Sequence, residues 1–252
     1  MKRALALMAH PDDAEIFAGG SLTLLQERGW ETHIASMTPG DCGSNEHGAS
    51  EISGIRRAEA SNAASLIQAS YHCLDRRDLR VFYDEPTLQA AVECIRSVDP
   101  DIVFTHPPHD YMPDHEMTSL VTRSACFGAP APNFDTGRRP CAPSTSRIPH
   151  LYYAAPAGGS DIFGEPGKYS TFVDVSGVIG LKADMLAAHK SQRLWLEQQH
   201  GMGHYVEEMK RWARNLGEQA GVEYAEAFRQ HVGHPYPQRD LLSEELAPPR
   251  LG

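Results

Sequence analysis

The sequence predicts a single α/β domain over residues 1–252, with a mostly parallel sheet and helices on both faces. Short apolar segments alternate with longer amphipathic segments through the first half, which is typical of parallel strands joined by helices. The 252 residues suffice for one well-buried core, and we find neither an internal repeat nor a domain linker. In the common strand order 3-2-1-4-5, strands one and four are neighbours, and ligands bind beyond their carboxyl ends.

The elements of the first half follow from local patterns. Leu22 and Leu25 face inward in the first helix and Gly29 is its stop signal, while Ile52 opens the apolar stripe of the second helix. Residues 38–50 are rich in Gly, Ser and Asn and are expected to form a loop. The expected order is a strand at 4–8, a helix at 15–28, a strand at 32–37, a helix at 51–69, a strand at 71–74, a helix from Pro86 to about Val98, and a strand at 101–105.

The second half has weaker patterns. A segment at about 128–149 is rich in Pro, Gly and Ser and is expected to be a long surface loop. The C-terminal tail carries several prolines and is expected to be irregular. Between them we expect strands at 151–156 and 170–176 and helices at about 178–196 and 203–219.

Composition narrows the possible partners and surroundings. The formal net charge is −10, from 23 basic and 33 acidic residues, which disfavours nucleic acid and anionic membranes as partners. No segment approaches the roughly 20 apolar residues of a membrane span, and no long apolar leader precedes the first strand. The five cysteines include no CxxC pair, so neither a disulfide framework nor a thiolate zinc site is indicated. We therefore expect a cytoplasmic protein.

The first chemical motif is AHPDDAE at 9–15, directly after the first strand. His10 and Asp13 are three residues apart, so one turn at a helix start can aim both side chains at one point. Imidazole and carboxylate are good zinc ligands. Asp12 lies between them and is free to face a water molecule rather than the metal. The alternative is an ordinary helix start with Asp as its N-cap.

The second motif is HPPHDYMPDHE at 106–116, directly after the fourth strand. It packs three histidines and two aspartates into about ten residues. If strands one and four are neighbours, both motifs open into the same crevice. The alternative is that the PDH segment merely starts the following helix. Two polar clusters at strand ends that should be adjacent favour a functional site.

On these motifs the chain resembles the PIG-L/LmbE-like family of zinc-dependent N-acetylglucosaminyl deacetylases. The resemblance rests on AHPDDAE and MPDH at 112–115, with weaker support from IRRAEA at 55–60 and AHKSQ at 188–192. It implies a Rossmann-like fold and hydrolysis of an N-acetyl amide, which releases acetate and a free amine. It also implies zinc on His10, Asp13 and His115, with Asp12 as general base. Fe(II), Mn(II) or Co(II) are alternative metals for such a site.

One position departs from the family pattern. The family has His where this chain has Met112, and that His is thought to stabilise the tetrahedral oxyanion. Methionine is no strong hydrogen-bond donor. We therefore consider His109, Tyr111 and His189 as substitute donors. A structural role is the alternative for His189, which shares a helix face with Gln192.

Three further residues have two interpretations each. Asp114 is expected either to orient a ligand histidine by a hydrogen bond or to cap the following helix. Arg56 is expected either to bind substrate, as the resemblance implies, or to pair with Glu59 on its own helix. Asp78 follows the third strand, so it is expected either to bind a sugar hydroxyl or to stabilise a turn. Tyr111 is a further candidate for substrate binding.

Three functional hypotheses remain open. The first is the deacetylase, acting on a small amidated sugar, with a homo-oligomer as a possible assembly. The second is a nucleotide-binding enzyme, which is disfavoured because no GxGxxG follows the first strand. The third is a non-catalytic metal-stabilised or ligand-binding protein. A metal-binding family member with altered or lost deacetylase activity, or an amidase for a non-sugar amide, is the alternative to the first. Met112 favours the third hypothesis, and the presence of Asp12 favours the first.

Overall fold

A seven-stranded sheet forms the centre of the protein, whose computed structural model describes residues 1–192 and 205–246. The strands are β1 Arg3–Met8, β2 Glu31–Ser36, β3 Ser70–Cys73, β4 Ile102–Thr105, β5 His150–Ala154, β6 Thr171–Asp174 and β7 Ala225–Gln230. Their order is β3-β2-β1-β4-β5-β7-β6. The first five strands are parallel, and β7 runs antiparallel to both β5 and β6. The predicted fold class and strand order are confirmed.

Helices connect the strands. They are α1 Asp13–Phe17, α2 Gly19–Glu27, α3 Ala49–Ser65, α4 Glu85–Val98, α5 Pro113–Gly128, α6 Ile179–Ala187, α7 Tyr205–Ala220 and α8 Leu241–Leu246. Helix α4 begins with an N-cap, because the Asp84 side chain accepts a hydrogen bond from the backbone N–H of Thr87. Within the described residues, no helix has the length and apolar character needed to cross a membrane.

Two apolar cores cover the two faces of the sheet. Alternate residues of β1 point to opposite sides, as the strand period requires. Ala4 and Ala6 pack in one core with Leu22 and Leu25 of α2. Leu5 and Leu7 pack in the other core, whose further members include Ile95 of α4 and Val121 of α5. The sheet is therefore held between layers of helices.

The pairing of β1 with β4 positions the functional site. Ala4 lies opposite Ile102 and Ala6 lies opposite Phe104 in a parallel register. Both strands therefore end at the same edge, and the segments that begin with Ala9 and His106 emerge side by side. The two chemical motifs meet as the sequence predicted.

The predicted helix at 15–28 is wrong, because two helices occupy this range. They are separated at Ala18, whose φ of −142° is not helical. The break exposes backbone N–H groups at the start of α2, and the Glu226 carboxylate accepts hydrogen bonds from those of Gly20 and Ser21, each at 2.8 Å. A carboxylate 205 residues away in sequence therefore stabilises this second helix start.

Other boundaries also differ. β7 was not predicted, since its sequence AEAFRQ places a charged residue in the core. The C-terminal tail was expected to be irregular, but it contains α8. The expected helix at 178–196 ends as α6 at Ala187. Residues 193–204, where this expectation ends and that of 203–219 begins, lie outside the described residues.

Candidate metal centre and active-site cavity

A cavity of about 680 Å³ opens at the carboxyl edge of the sheet. Loops after all five parallel strands contribute to its wall, as the topology requires. His10, Asp13 and His115, the predicted metal ligands, lie side by side in this wall. Its volume lies within the usual range for sites that hold a drug-sized ligand.

The three predicted ligands converge on one point. Oδ2 of Asp13 lies 3.3 Å from Nδ1 of His10 and 3.5 Å from Nε2 of His115. The three donor atoms lie within 4.8 Å of one another, and all three side chains are buried. Two imidazole nitrogens and one carboxylate oxygen form a donor set that suits a divalent transition metal.

The charges at this point also favour a cation. Burial lowers the pKa of His10, but hydrogen bonds to Asp114 and Asp13 and the charge of Asp78 outweigh it and raise that pKa to about 10. Burial raises the pKa of Asp13, yet the neighbouring histidines, His115 first, hold it well below its usual range. The surroundings of His10 thus favour positive charge, and Asp13 is ionised. The residues present fit a bound cation.

Carboxylates contact both histidines of the predicted ligand set. Nε2 of His10 lies 3.4 Å from Oδ2 of Asp114, and Nδ1 of His115 lies 3.0 Å from Oδ1 of Asp110. In each ring the remaining nitrogen is the one that faces Asp13. Such carboxylate–histidine contacts set the tautomer and the ring orientation of a metal ligand.

Asp114 is not the cap of α5. Met112 occupies the N-cap position, and Pro113 opens the helix. The Asp114 carboxylate instead accepts hydrogen bonds from the backbone N–H of Leu79 at 2.6 Å and that of Val81 at 3.4 Å. It therefore joins the loop after β3 to the ring of His10.

His106 is a site residue that the sequence analysis missed. Its ring stacks on His115 with a centroid distance of 3.8 Å, and its Nε2 accepts a hydrogen bond from the backbone N–H of Ala9. Burial, followed by the charge of His115, lowers its pKa. The ring therefore packs behind the ligand set as a neutral support.

Asp12 occupies the N-cap position of α1 without capping it. Its φ is 102°, in the left-handed region that costs energy for a residue other than glycine, and its side chain forms no capping hydrogen bond. Oδ2 accepts a hydrogen bond from the Tyr205 hydroxyl at 2.6 Å, and Oδ1 lies 3.6 Å from Nη2 of Arg56. The carboxylate lies in the same cavity wall as the predicted metal ligands.

Arg56 is buried in the cavity wall and does not pair with Glu59. Its Nη2 donates to the backbone oxygen of Pro11 at 2.7 Å. A Cβ at Gly40 would meet the guanidinium at 2.2 Å from Nη1, so the loop after β2 needs glycine there. Glu59 instead accepts hydrogen bonds from the backbone N–H and the hydroxyl of Ser191.

Asp78 and Tyr111 both line the cavity, but the Asp78 side chain is already hydrogen-bonded and that of Tyr111 is exposed. Asp78 accepts hydrogen bonds from the Thr38 hydroxyl and from the backbone N–H of Cys42, so it organises the loop after β2. Tyr111 is 65% exposed, and its ring meets His115 edge-on at a centroid distance of 5.3 Å. Only Tyr111 remains open to a ligand in the way that substrate binding requires.

Two predicted donors lie outside the cavity wall. The side chain of His109 is 80% exposed, and its nearest carboxylate is that of Glu116 at 3.8 Å. His189 is fully buried and faces Glu15, with Nε2 to Oε1 at 3.2 Å. The prediction that either histidine donates to the substrate is therefore not supported by the geometry.

The helical part of the second half of the chain also contributes residues to the cavity wall. Tyr205 and Trp212 lie on α7, and Gln192 follows α6. Gln192 belongs to the AHKSQ segment, so its spacing from His189 was a usable signal. No motif marks Tyr205, and only the packing of α7 against the rest of the fold reveals it.

Comparison with known proteins finds a family match in the first half of the chain. Residues 5–126 match the family model described as PIG-L: GlcNAc-PI de-N-acetylase. The diacetylchitobiose deacetylase of Thermococcus kodakarensis is 26% identical over 246 residues, covering 91% of this chain and 83% of that protein. A solved N,N'-diacetylchitobiose deacetylase from Pyrococcus horikoshii superimposes with a TM-score of 0.77 at 26% identity, covering 95% of this chain and 88% of that one.

One of the similar proteins has a different activity. The 4-oxalmesaconate hydratase of Pseudomonas putida is 29% identical over 146 residues. The match spans 55% of this chain and about 57% of the hydratase. All these relatives are named as enzymes, which confirms the prediction of an enzyme, and the family resemblance is confirmed as well. The chain therefore carries a PIG-L family domain over residues 5–126, and this domain contains the three predicted metal ligands and Asp12.

Proposed function

We propose that this protein is a metal-dependent N-deacetylase. It hydrolyses the N-acetyl amide of an N-acetylglucosamine-type sugar or conjugate and releases acetate and a free amine. The observation that carries the proposal is the position of the Asp12 carboxylate beside the converging donors of His10, Asp13 and His115. A purely structural metal site needs no adjacent base.

Zinc is the metal we propose for the His10, Asp13 and His115 site. Two imidazoles and one carboxylate are a common zinc ligand set, and three protein ligands leave room for water or substrate. When bound, such a cation polarises a carbonyl and lowers the pKa of water.

Asp12 is the proposed general base. Its carboxylate takes a proton from the water that attacks the amide carbonyl, and it later delivers this proton to the leaving amine. The Tyr205 hydroxyl binds one of its oxygens, and the Arg56 guanidinium lies near the other. These two contacts hold the carboxylate in one orientation while it exchanges protons.

The oxyanion needs a donor other than Met112. Among the described residues of the cavity wall, the side chains whose N–H or O–H groups form no hydrogen bond within the described chain include Tyr111, Ser160, Gln192 and Trp212. Two of these groups are the candidates: Tyr111, whose ring contacts His115, and Gln192. Gln192 is almost fully buried, with its Oε1 unpaired. We propose that one of these two groups binds the acyl oxygen, since preorganised side-chain donors are effective in this role.

The hydratase relative supplies the competing function. Its substrate is a carboxylate by name, and binding a carboxylate needs positive charge in the cavity. The described wall instead contains Asp12, Asp13, Asp78 and Asp161, and Arg56 is its one arginine or lysine. Because Arg56 already contacts Asp12 and Pro11, the proposed metal is the positive charge that remains for a substrate, and this favours a neutral amide over a polycarboxylate.

The test combines metal analysis with product release. Purified protein and its Asp12→Asn variant are analysed for bound metal and assayed for acetate release. The panel contains N-acetylated aminosugars, their conjugates and N-acetyl amides without a sugar. We expect both proteins to bind metal and only the wild type to turn over sugar amides, with a loss of about 10²–10⁴-fold in the variant.

Two results would exclude the proposal. One is bound metal with no acetate released from any compound. The other is hydration of an unsaturated carboxylate, followed by its ultraviolet absorbance, in place of deacetylation. Turnover restricted to the non-sugar amides would leave the reaction class intact and change the substrate. The cytoplasmic location and the homo-oligomer stay predictions.

A further inference from the structure

We propose that Leu79, Tyr111 and Met112 form an apolar subsite at the rim of the cavity. This rim subsite binds an aryl or alkyl group attached to the amidated sugar, so the substrate is an apolar conjugate rather than the free sugar. The inference rests on the proposed deacetylase function. It concerns which substrates that same site selects.

Leu79 is an exposed leucine held in a costly conformation. Its φ is 61°, in the left-handed region that is unfavourable for a residue with a Cβ, and its side chain is 65% exposed. The backbone N–H donates to Asp114 at 2.6 Å, and the same carboxylate contacts His10. The metal site therefore fixes the backbone of Leu79, and such strain is typical of ligand-binding segments.

Tyr111 presents an aromatic ring next to a metal ligand. The ring contacts His115 edge-on, and most of its surface is exposed within the same cavity as Leu79. In the described chain its hydroxyl has no hydrogen-bond partner. An exposed aromatic ring at a cavity wall is well suited to stack on, or pack against, an apolar group.

Met112 completes the rim subsite. It follows Tyr111 directly and also lines the cavity. The unbranched thioether side chain adapts to irregular apolar surfaces and to aromatic rings. A polar residue at this position would interrupt the apolar surface of the rim subsite. Methionine keeps that surface apolar.

Two parts of the cavity wall thus differ in chemistry. Asp12 and Arg56 belong to its charged part, while the side chains of the rim subsite carry no charge. The volume of about 680 Å³ accommodates a ligand of drug size. A matching ligand has an amide-bearing polar end and an apolar group beyond it.

Turnover of three substrates tests the rim subsite. They are N-acetylglucosamine, its 4-nitrophenyl β-glycoside and its octyl β-glycoside, each assayed for acetate release. We expect kcat/KM for the two glycosides to exceed that for the free sugar by roughly tenfold or more, as the burial of an apolar group implies. Equal values for all three compounds would overturn the inference.

Substitutions then locate the effect. Leu79→Asn keeps a residue type that tolerates a positive φ, and Tyr111→Ser removes a largely exposed ring. Because Tyr111 is also a proposed oxyanion donor, the ratio between substrates that share the amide, and not kcat/KM itself, reports on the rim subsite. We expect either change to reduce the glycoside-to-sugar ratio of kcat/KM by about threefold to tenfold. The matched control is Phe127→Ser, which removes another exposed apolar side chain outside the described cavity wall and should leave the ratio unchanged.

A second copy of this chain is the other occupant to consider. Light scattering on the wild type and variants gives the molar mass in each case. Variants that dissociate an assembly and leave the substrate ratio unchanged would show a subunit interface and overturn the inference. If no compound releases acetate, the proposed function fails instead. Calorimetric binding of the octyl glycoside to wild type and Leu79→Asn then still tests the rim subsite, and equal affinities would overturn it.

Discussion

The hydroxyl of Tyr205 donates a hydrogen bond to Oδ2 of Asp12 at 2.6 Å. The two residues are separated by 193 positions, and both are buried in the cavity wall. This bond connects the helix α7 to the proposed general base. Through it, Tyr205 in the second half of the chain orients the Asp12 carboxylate in the first motif.

Tyr205→Phe should therefore lower kcat without removing the metal. A hydrogen bond to a charged group contributes about 1.5–3 kcal/mol, so we expect kcat to fall about tenfold to a hundredfold. Turnover kinetics and metal content of the purified variant check this. The matched control is Tyr236→Phe, which removes a buried hydroxyl that donates to the Arg123 carbonyl. Equal kcat values for wild type and Tyr205→Phe would contradict the expectation.

The convergence of the three proposed metal ligands was predictable because their spacing is local. His10 and Asp13 lie within one turn, and His115 belongs to a dense polar segment after β4. Alternation of strands and helices was enough to place these segments side by side. The parallel pairing of β1 with β4 brings the two segments to the same edge of the sheet.

The supporting residues were not predictable for an equally physical reason. Tyr205 and Glu226 act through contacts that join distant parts of the chain, and neither belongs to a recognisable pattern. His109 illustrates the opposite error: it lies within a polar motif, yet its side chain points to solvent. His189 also lies in a motif but is buried against Glu15. Sequence spacing indicates proximity along the chain and does not give side-chain direction.

The carboxylate behind His115 should control metal affinity. The Asp110 side chain is fully buried, and its Oδ1 lies 3.0 Å from Nδ1 of His115. Loss of such a partner typically weakens metal binding about 10–100-fold, and we expect this for Asp110→Asn. Competition with a chromogenic chelator gives the dissociation constant. Asp240→Asn serves as the control, since Asp240 accepts hydrogen bonds from Tyr152 and Thr171 in another part of the fold. Unchanged affinity in Asp110→Asn would argue against this orienting role.

The ion pair between Lys182 and Glu226 should be important for stability. Nζ and Oε1 lie 2.5 Å apart, and both side chains are at most 2% exposed. Glu226→Gln leaves the buried ammonium without its counter-charge, so we expect the free energy of unfolding to fall by about 3–5 kcal/mol. Urea denaturation measures this free energy. Glu207→Gln alters a surface pair with Lys210 and should lower the free energy of unfolding far less. Similar losses in both variants would contradict a special role for the buried pair.

His189 should make stability depend on pH. Burial lowers its pKa, but the charge of Glu15 outweighs this and leaves the pKa raised above 6.5. A raised pKa in the folded state stabilises the protein at pH values below about 6.5, and this contribution is lost as the pH rises through the folded-state pKa. Relative to His189→Gln, the wild type should therefore gain most stability near pH 6 and least near pH 9. Chemical denaturation of metal-free protein at both pH values measures the difference. His231→Gln is the control of opposite sign, because burial, followed by Arg123, lowers the pKa of His231. A wild-type advantage over His189→Gln that grows with pH would show that Glu15 does not hold His189 in its protonated form.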